Sequence, residues 1–437
     1  MRLAALAVRL LIADCRLQIG LQIVLPIGLL IAHGPNGPHG PNDPNGPNQS
    51  AISNLQSAIQ ETDRRRVTTA ADRYLKNPPQ TITSFPAARS AGGLHDYFSE
   101  GDYWWPDPAN PDGPYVRRDG MSNPDTFVAH RRALRRLSIE APALTAAWLL
   151  THDRRYAAHA RRHLRAWFVD AATRMNPNVQ YGQAVHGHLT GRGPGVIDTI
   201  HLVEVARAAE LLHARRVIPD AEFRAIASWF SEYSRWLMTH PNGLEAKNAK
   251  NNLGTCWVMQ VAAYASLVAS GAANAGRSDA AGHLEMCWTR FKTVLVPGQM
   301  AADGSFPLEL ERTKPYAYSL FNLDALSTIC RIATLSRPAA GRHTEDLWTF
   351  ELPDGRGMGR ALAFMAPYIT DKRGWPHKPD VEYFDEWPMR HPALLFGGLA
   401  LGRPEYVALW KTLPADSEVD EVVRNFFIRQ PLLWWPT

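Results

Sequence analysis

Apolar residues in this chain return every three or four positions over long stretches, a period that fits helices and not strands. One stripe is Tyr156, Ala160, Leu164 and Trp167. A second runs Leu202, Val205, Ala209 and Leu212, and a third Phe223, Ile226, Phe230 and Tyr233, with Asp220 placed to cap the third helix. Thr255–Ala269 is different: it is apolar nearly all round, so other segments must cover it on every side. Proline, glycine and asparagine separate these segments, and strand patterns are scarce before residue 345. Amphipathic helices around fully buried ones predict antiparallel helix pairs with an inner ring. The expected fold is therefore mainly α, an (α/α) toroid or incomplete barrel, with a smaller C-terminal part whose structure the pattern does not fix.

The N-terminal region follows other rules. Arg2, Arg9 and Arg16 accompany the apolar run Ile19–Ala32, which is shorter than the roughly 20 residues a bilayer-spanning helix needs. Residues 1–32 read as a signal peptide or anchor, although Asp14 and Pro26 interrupt the run and no clear A-x-A site follows; the protein is expected to be secreted or periplasmic. Gly-Pro-Asn then recurs at residues 34, 40 and 46. Such a tract cannot pack a core, so residues 33–62 are expected to form a disordered spacer and residues 63–437 the folded domain.

Composition narrows the function. A hydrophobic fraction of 45% with 20% charged residues is that of a globular protein, and a net charge of +5 suits an anionic partner without amounting to a nucleic-acid signature. No stable membrane partner is expected once the leader is removed. Of the four cysteines, Cys15 lies in the leader, and Cys256, Cys287 and Cys330 have no ligand spacing. They are expected as buried hydrophobes, with no metal and no cofactor. Walker loops, dinucleotide fingerprints and Ser-His-Asp arrangements are not evident.

Two segments carry chemistry. Lys250-Asn251-Asn252 offers neutral amides at the start of the apolar helix, and Glu309–Tyr318 offers Arg312 six residues before Tyr318. Together they hold the parts for removing a proton from a carbon beside a carboxylate. In elimination from a polyuronate, the charge that grows on the carboxylate at C5 must be neutralised, a base must take the C5 proton, and an acid must protonate the leaving O4. Asparagine amides donate to a carboxylate without adding negative charge. An arginine pairs with it and also lowers the pKa of a neighbouring tyrosine from about 10. Asn-Asn before a helix is also a common capping arrangement.

At these residues the sequence resembles the alginate lyase family, the helical-toroid polysaccharide lyases that act on polyuronates. The resemblance spans roughly residues 85 to 400. It rests on Lys250-Asn251-Asn252, on Phe306-Pro307-Leu308-Glu309-Leu310-Glu311-Arg312, on Tyr318 with Phe321-Asn322-Leu323, and on the Gly101–Pro108 stretch. It implies that Asn252 neutralises the substrate carboxylate, that Arg312 assists, and that Tyr318 transfers the proton. Tyr318 is preferred to Tyr316 because it keeps register with a helix expected to begin near Leu320. The family pattern has a histidine where this chain has Leu253. Three readings of that departure stay open: an inactive relative, an engineered substitution, or catalysis that does without the histidine.

The implied partner is an acidic 1,4-linked polysaccharide, mannuronan (alginate) or glucuronan. Three long polar-aromatic loops, Gly101–Pro124, Asn176–Pro194 and Asp371–Pro388, suit a sugar-lined cleft. Candidate substrate-binding residues are Asn251, Lys250, His188, Tyr316, Trp105 and Arg118; Trp104, His186, Lys247 and Arg373 are weaker candidates, and His201 is expected to pack or cap. Two other classes compete. An inverting glycoside hydrolase on a similar toroid would need two facing carboxylates about 6.5–9.5 Å apart, with Asp198, Asp303, Glu309 and Glu311 as candidates. A non-catalytic polysaccharide-binding relative of the lyases would account for Leu253.

Overall fold

The structure is a computed structural model that describes residues 49–271, 274–336 and 346–435. The expected leader and most of the expected spacer lie outside the described residues. Helix α1 spans Gln49–Tyr74 and so begins inside the stretch read as spacer. The physical reason is compositional. The Pro/Gly/Asn tract ends at Asn48, and neither proline nor glycine recurs until Pro78. Val67 and Ala71 on this helix are buried.

Three short strands follow, β1 (Phe98–Glu100), β2 (Trp104–Trp105) and β3 (Val116–Arg117), before α2 (Ala129–Thr151) and α3 (Arg154–Phe168). His152, at φ 59°, ends α2 by closing its N–H on the Trp148 carbonyl, and the Asp153 side chain then caps α3 through the Arg155 N–H. The turn between the two helices is therefore tight, and they pack as an antiparallel pair. Strand β4 (Tyr181–Ala184) precedes α4 (Leu202–Ala214), α5 (Asp220–Thr239), α6 (Pro241–Asn248), α7 (Asn252–Gly271) and α8 (Asn274–Arg290). The three apolar stripes are buried on α3, α4 and α5. Asp220 does not cap α5. Pro219 occupies the cap position and Asp220 is the first helical residue, paired with His213 Nε2 at 3.1 Å.

The short helices α9 (Val296–Gln299) and α10 (Pro307–Leu310) lead into α11 (Pro315–Leu335), then α12 (Met358–Thr370), α13 (Pro392–Ala400), α14 (Pro404–Thr412) and α15 (Asp420–Asn425). Helices α2, α4, α7, α11 and α13 each touch the next and form the inner arc. Outside it, α1 and α3 lie on α2, α5 and α8 on α7, and α12 and α14 on α13. This is the expected arrangement of antiparallel pairs around buried helices. Helix α7 is packed by α4, α5, α6, α8 and α11, which meets the demand of its all-round apolar surface. Among the described residues it alone is long and apolar enough to cross a membrane, but it is a core helix.

Helix α11 starts at Pro315, earlier than the expected start near Leu320. Asp380, from the loop Asp371–Pro388, accepts the N–H groups of Tyr316 (2.9 Å) and Ala317 (3.0 Å) and so caps the first turn from a distance, with Pro315 at the first helical position. The C-terminal segment belongs to the same compact unit, Pro47–Thr437. Buried Glu204 on α4 gathers the N–H groups of Arg429 and Gln430 and the Trp434 indole N–H. Cys256, Cys287 and Cys330 are buried and free, as expected.

Candidate active site

Parallel pairing of β1 with β4 ties the loop 101–124 to the loop 176–194, and β2 pairs with β3 as a short hairpin within the first of them. Where these loops meet the N-terminal ends of α7 and α11 and the end of α15, they enclose a cavity of about 270 Å3. Asn251, Asn252, Leu253, Arg312 and Tyr318 all line it, so the two segments singled out in the sequence converge on one space.

On one wall the Tyr318 hydroxyl lies 2.8 Å from the Tyr103 hydroxyl and 3.5 Å from Arg312 Nη2. The Arg312 guanidinium carbon stands 4.5 Å from the centre of the Tyr318 ring, in cation–π contact. Arg312 is itself held by Asp119, which accepts from Nε at 3.2 Å and from Nη2 at 3.0 Å, while Thr313 Oγ1 donates to the same carboxylate. This approach needs a glycine. Gly120 has φ 77°, and a Cβ there would lie 2.4 Å from Thr313 Oγ1. Burial works against ionisation of Asp119, but its bonds to Arg312, Thr313 and Arg117 hold its carboxyl at about 2. Burial pushes the Tyr318 hydroxyl well above its ordinary value and Tyr103 adds to this, with Arg312 opposing both. In the resting protein Tyr318 is therefore a neutral phenol, a proton donor that becomes a base only after losing its proton.

The facing wall is the start of α7. The Asn252 N–H donates to Glu309 Oε1 and its side-chain Nδ2 to Glu309 Oε2, both at 2.7 Å. Asn252 is 4% exposed and Glu309 1%. Burial pushes the Glu309 carboxyl up to about 7, against the bonds from Asn252 and the charge of Arg312. With Nδ2 turned to Glu309, Asn252 leaves Oδ1 with no described donor. Asn251 accepts from the Leu253 N–H through Oδ1 at 3.4 Å, a weak capping bond. Leu253 is buried at the cavity edge, and its side chain supplies neither a donor nor an acceptor.

The remaining wall is charged. Asp102 and Asp198 both contact Arg131, and Asp102 also pairs with Arg424. Asp198, the one hydrolase candidate among the residues lining the cavity, is held by Arg131 and by the Ser99 hydroxyl. The other hydrolase candidates are placed no better: Glu309 is bound to Asn252, Asp303 accepts from the Ser305 N–H, and Glu311 is exposed. Arg192 lies 5.9 Å from the Trp104 ring centre and is fixed by the backbone and side-chain oxygens of Gln183 at 3.0 and 2.9 Å.

Several expected binding residues lie elsewhere. Tyr316 is fully buried, donates its hydroxyl to the Tyr368 carbonyl at 3.0 Å and packs on Trp375 and Phe384, so it is a core residue. Trp105 donates to the Met121 carbonyl and carries Arg118 over its ring, and neither lines the cavity; Trp104 does. Lys250 is exposed and outside the lining. His188 belongs to a neighbouring groove with His186, although its ring lies 5.5 Å from that of Trp104. Lys247 stands over Trp257, Arg373 pairs with Asp371 at the surface, and His201 is buried at the start of α4. Sequence reasoning did not assign roles to Tyr103, Asp119, Arg192 and Arg424. Tyr103 lay inside the Gly101–Pro108 stretch already singled out, and Asp119 and Arg192 inside the long loops read as cleft-lining, without individual roles; Arg424 gave no local signal.

The sequence profile of the alginate lyase family matches residues 81–375, and the chain belongs to that family. Among solved structures, an alginate lyase from Bacteroides ovatus is 28% identical with a TM-score of 0.72, the match covering 88% of this chain and 97% of that one. A histidine-to-alanine variant of alginate lyase A1-III, crystallised with a tetrasaccharide, is 14% identical with a TM-score of 0.51 over 88% of this chain and 94% of that one, a likeness of fold. The architecture is thus the mainly helical (α/α) toroid. No curated protein matches.

Proposed function

We propose that this protein is a polysaccharide lyase that cleaves an acidic 1,4-linked polyuronate, mannuronan (alginate) or glucuronan, by β-elimination. The observation that carries the reading is the convergence of Tyr318, Arg312 and Asn252 on one cavity, with the tyrosine hydroxyl beside the guanidinium. A uronate carboxylate bound by the amides of Asn251 and Asn252 acidifies its C5–H bond. Tyr318 first gives its phenolic proton to solvent through the cleft, and the phenolate, stabilised by Arg312, takes the C5 proton. The C5 electron pair then forms the C4=C5 double bond as the C4–O4 bond breaks, and the phenol returns a proton to O4. Leu253 offers no second base. One tyrosine can serve both steps only where the C5 proton and O4 lie on the same side of the ring, as in mannuronate and glucuronate. Guluronate, the C5 epimer, is expected to react slowest. Secretion or export to the periplasm places such an enzyme with its polymer.

The test is a panel of polyuronates assayed for the absorbance of unsaturated uronate ends. Unsaturated product from polymannuronate or polyglucuronate, with little from polyguluronate, supports the reading. Reducing ends without unsaturation would mean a hydrolase, and binding without turnover a non-catalytic relative.

A further inference from the structure

We propose that Glu309 is a positioning residue that sets which face of the Asn252 amide meets the substrate, and that it takes up a proton when a uronate binds. The inference rests on the polyuronate reading above.

An ionised carboxylate only accepts hydrogen bonds. Glu309 in that state therefore draws Asn252 Nδ2 to itself, and among the described residues Oδ1, on a residue that lines the cavity, has no donor. A carbonyl oxygen there repels a bound carboxylate. Only one amide hydrogen remains to attract it, and the Glu309 charge lies just behind. Protonation reverses this arrangement without breaking the site. One oxygen of neutral Glu309 still accepts the Asn252 backbone N–H. The other becomes a donor to Asn252 Oδ1, and the amide turns over to present both Nδ2 hydrogens to the cavity. The Asn252 N–H and both Glu309 oxygens stay bonded, Oδ1 gains a donor, and one negative charge is removed from behind the substrate.

The surroundings favour the exchange. The titratable groups facing Glu309 are Arg312 in its own segment and Cys256 on α7; on α11, Tyr318 lies beyond Arg312, and Asp119 sits on the far side of that guanidinium. Arg312 Nε and Nη2 are engaged by Asp119, and no bond from Arg312 to the Glu309 side chain is seen among the described residues. Among the described residues Glu309 has no direct cationic partner. Its carboxyl already stands at about 7, so a second carboxylate arriving at Asn252 pushes it into the neutral form at ordinary pH. The apolar Leu253 side chain beside Asn252 gives the site no histidine to share the load.

The experiment uses the full protein and a uronate oligosaccharide. Binding heats are measured in two buffers of different ionisation enthalpy, and the pH profile of kcat/KM is recorded, for wild type, Glu309→Gln and Glu309→Ala. Glutamine copies the protonated acid: its carbonyl accepts the Asn252 N–H and its amide donates to Oδ1. Wild type is expected to take up about one proton on binding at pH 8 and to show a break in log kcat/KM near 7. Glu309→Gln is expected to lose both the uptake and the break, and to overtake wild type by about tenfold per pH unit above the break. Glu309→Ala should lose activity at every pH. Binding without proton uptake, or a break that persists in Glu309→Gln, overturns this proposal and leaves the lyase reading standing. Should Glu309→Gln fail to fold, uptake by the wild type decides alone. No binding and no unsaturated product with any polyuronate would remove the lyase reading itself, and this one with it.

Discussion

On one wall of the cavity Tyr318, Tyr103 and Arg312 are held in a mesh of charges, with Asp119 gripping the guanidinium from behind. On the facing wall Asn251, Asn252 and Leu253 carry no charge, and the one carboxylate behind them is buried. The charged wall has its protonation states set by fixed neighbours: Asp119 stays ionised to about pH 2, and Tyr318 stays neutral until something draws off its proton. The neutral wall is set by hydrogen-bond geometry. Proton transfer needs a group with a defined state and a strong field, whereas charge neutralisation needs donors aimed at the spot where charge grows. In the proposed elimination the two walls would divide those tasks.

The comparison breaks most sharply at Tyr318. Tyr318→Phe keeps the ring under Arg312 and removes only the hydroxyl; kcat is expected to fall by about 10^3-fold or more, with KM little changed. Retained activity would remove the tyrosine from the reaction. On the other wall Asn252→Ala should lower kcat/KM by roughly 10^2-fold, within the range for loss of one donor to a developing oxyanion. A loss confined to KM would instead give the amide a binding role only. Asp119→Asn should loosen Arg312 and lower kcat by about tenfold, the loss of orientation in a charged clamp. Wild-type stability contributed by Asp119 is present above its ordinary pKa of about 3.9 and is lost as pH falls towards 2, so the variant should show a flatter acid limb in thermal melts. Leu253→His adds a titratable group to the neutral wall. Cleavage of polyguluronate relative to polymannuronate should rise by roughly tenfold, as product analysis by chain composition would show. The smallest effect is expected at Tyr316→Phe, which removes a buried hydrogen bond and should cost about 1 kcal/mol of stability while leaving kcat unchanged.

Tyr316 and Tyr318 also show how far the sequence could be read. Residues two apart on a helix point about 200° apart, so one tyrosine must face away from whatever the other faces. Tyr318 lines the cavity and Tyr316 packs in the core, a difference that register with a helix starting near Leu320 does not explain. The helix starts at Pro315 because Asp380, brought from another loop, completes its first turn. Asn252 and Arg312 were legible because each lies in a short segment with a chemical signature. Trp104 and Trp105 are adjacent in a strand, where neighbours face opposite sides, and composition does not say which side is the cavity. Asp119, Arg424 and the Glu309–Asn252 pair were not legible, since each acts through a partner far along the chain. The succession of helix pairs was legible from period alone, because burying one stripe per helix leaves few other arrangements.

One tie has a consequence for the timing of synthesis. Asp102, near the start of the folded region, meets Arg424, near its end. A ribosome that has already released the segments carrying Asn252 and Tyr318 still holds back the residue that closes this corner of the cavity. The helix pairs can assemble as they emerge, but Arg131 alone must hold Asp102 in the growing chain. This wall of the cavity is completed only when the helix carrying Arg424 docks.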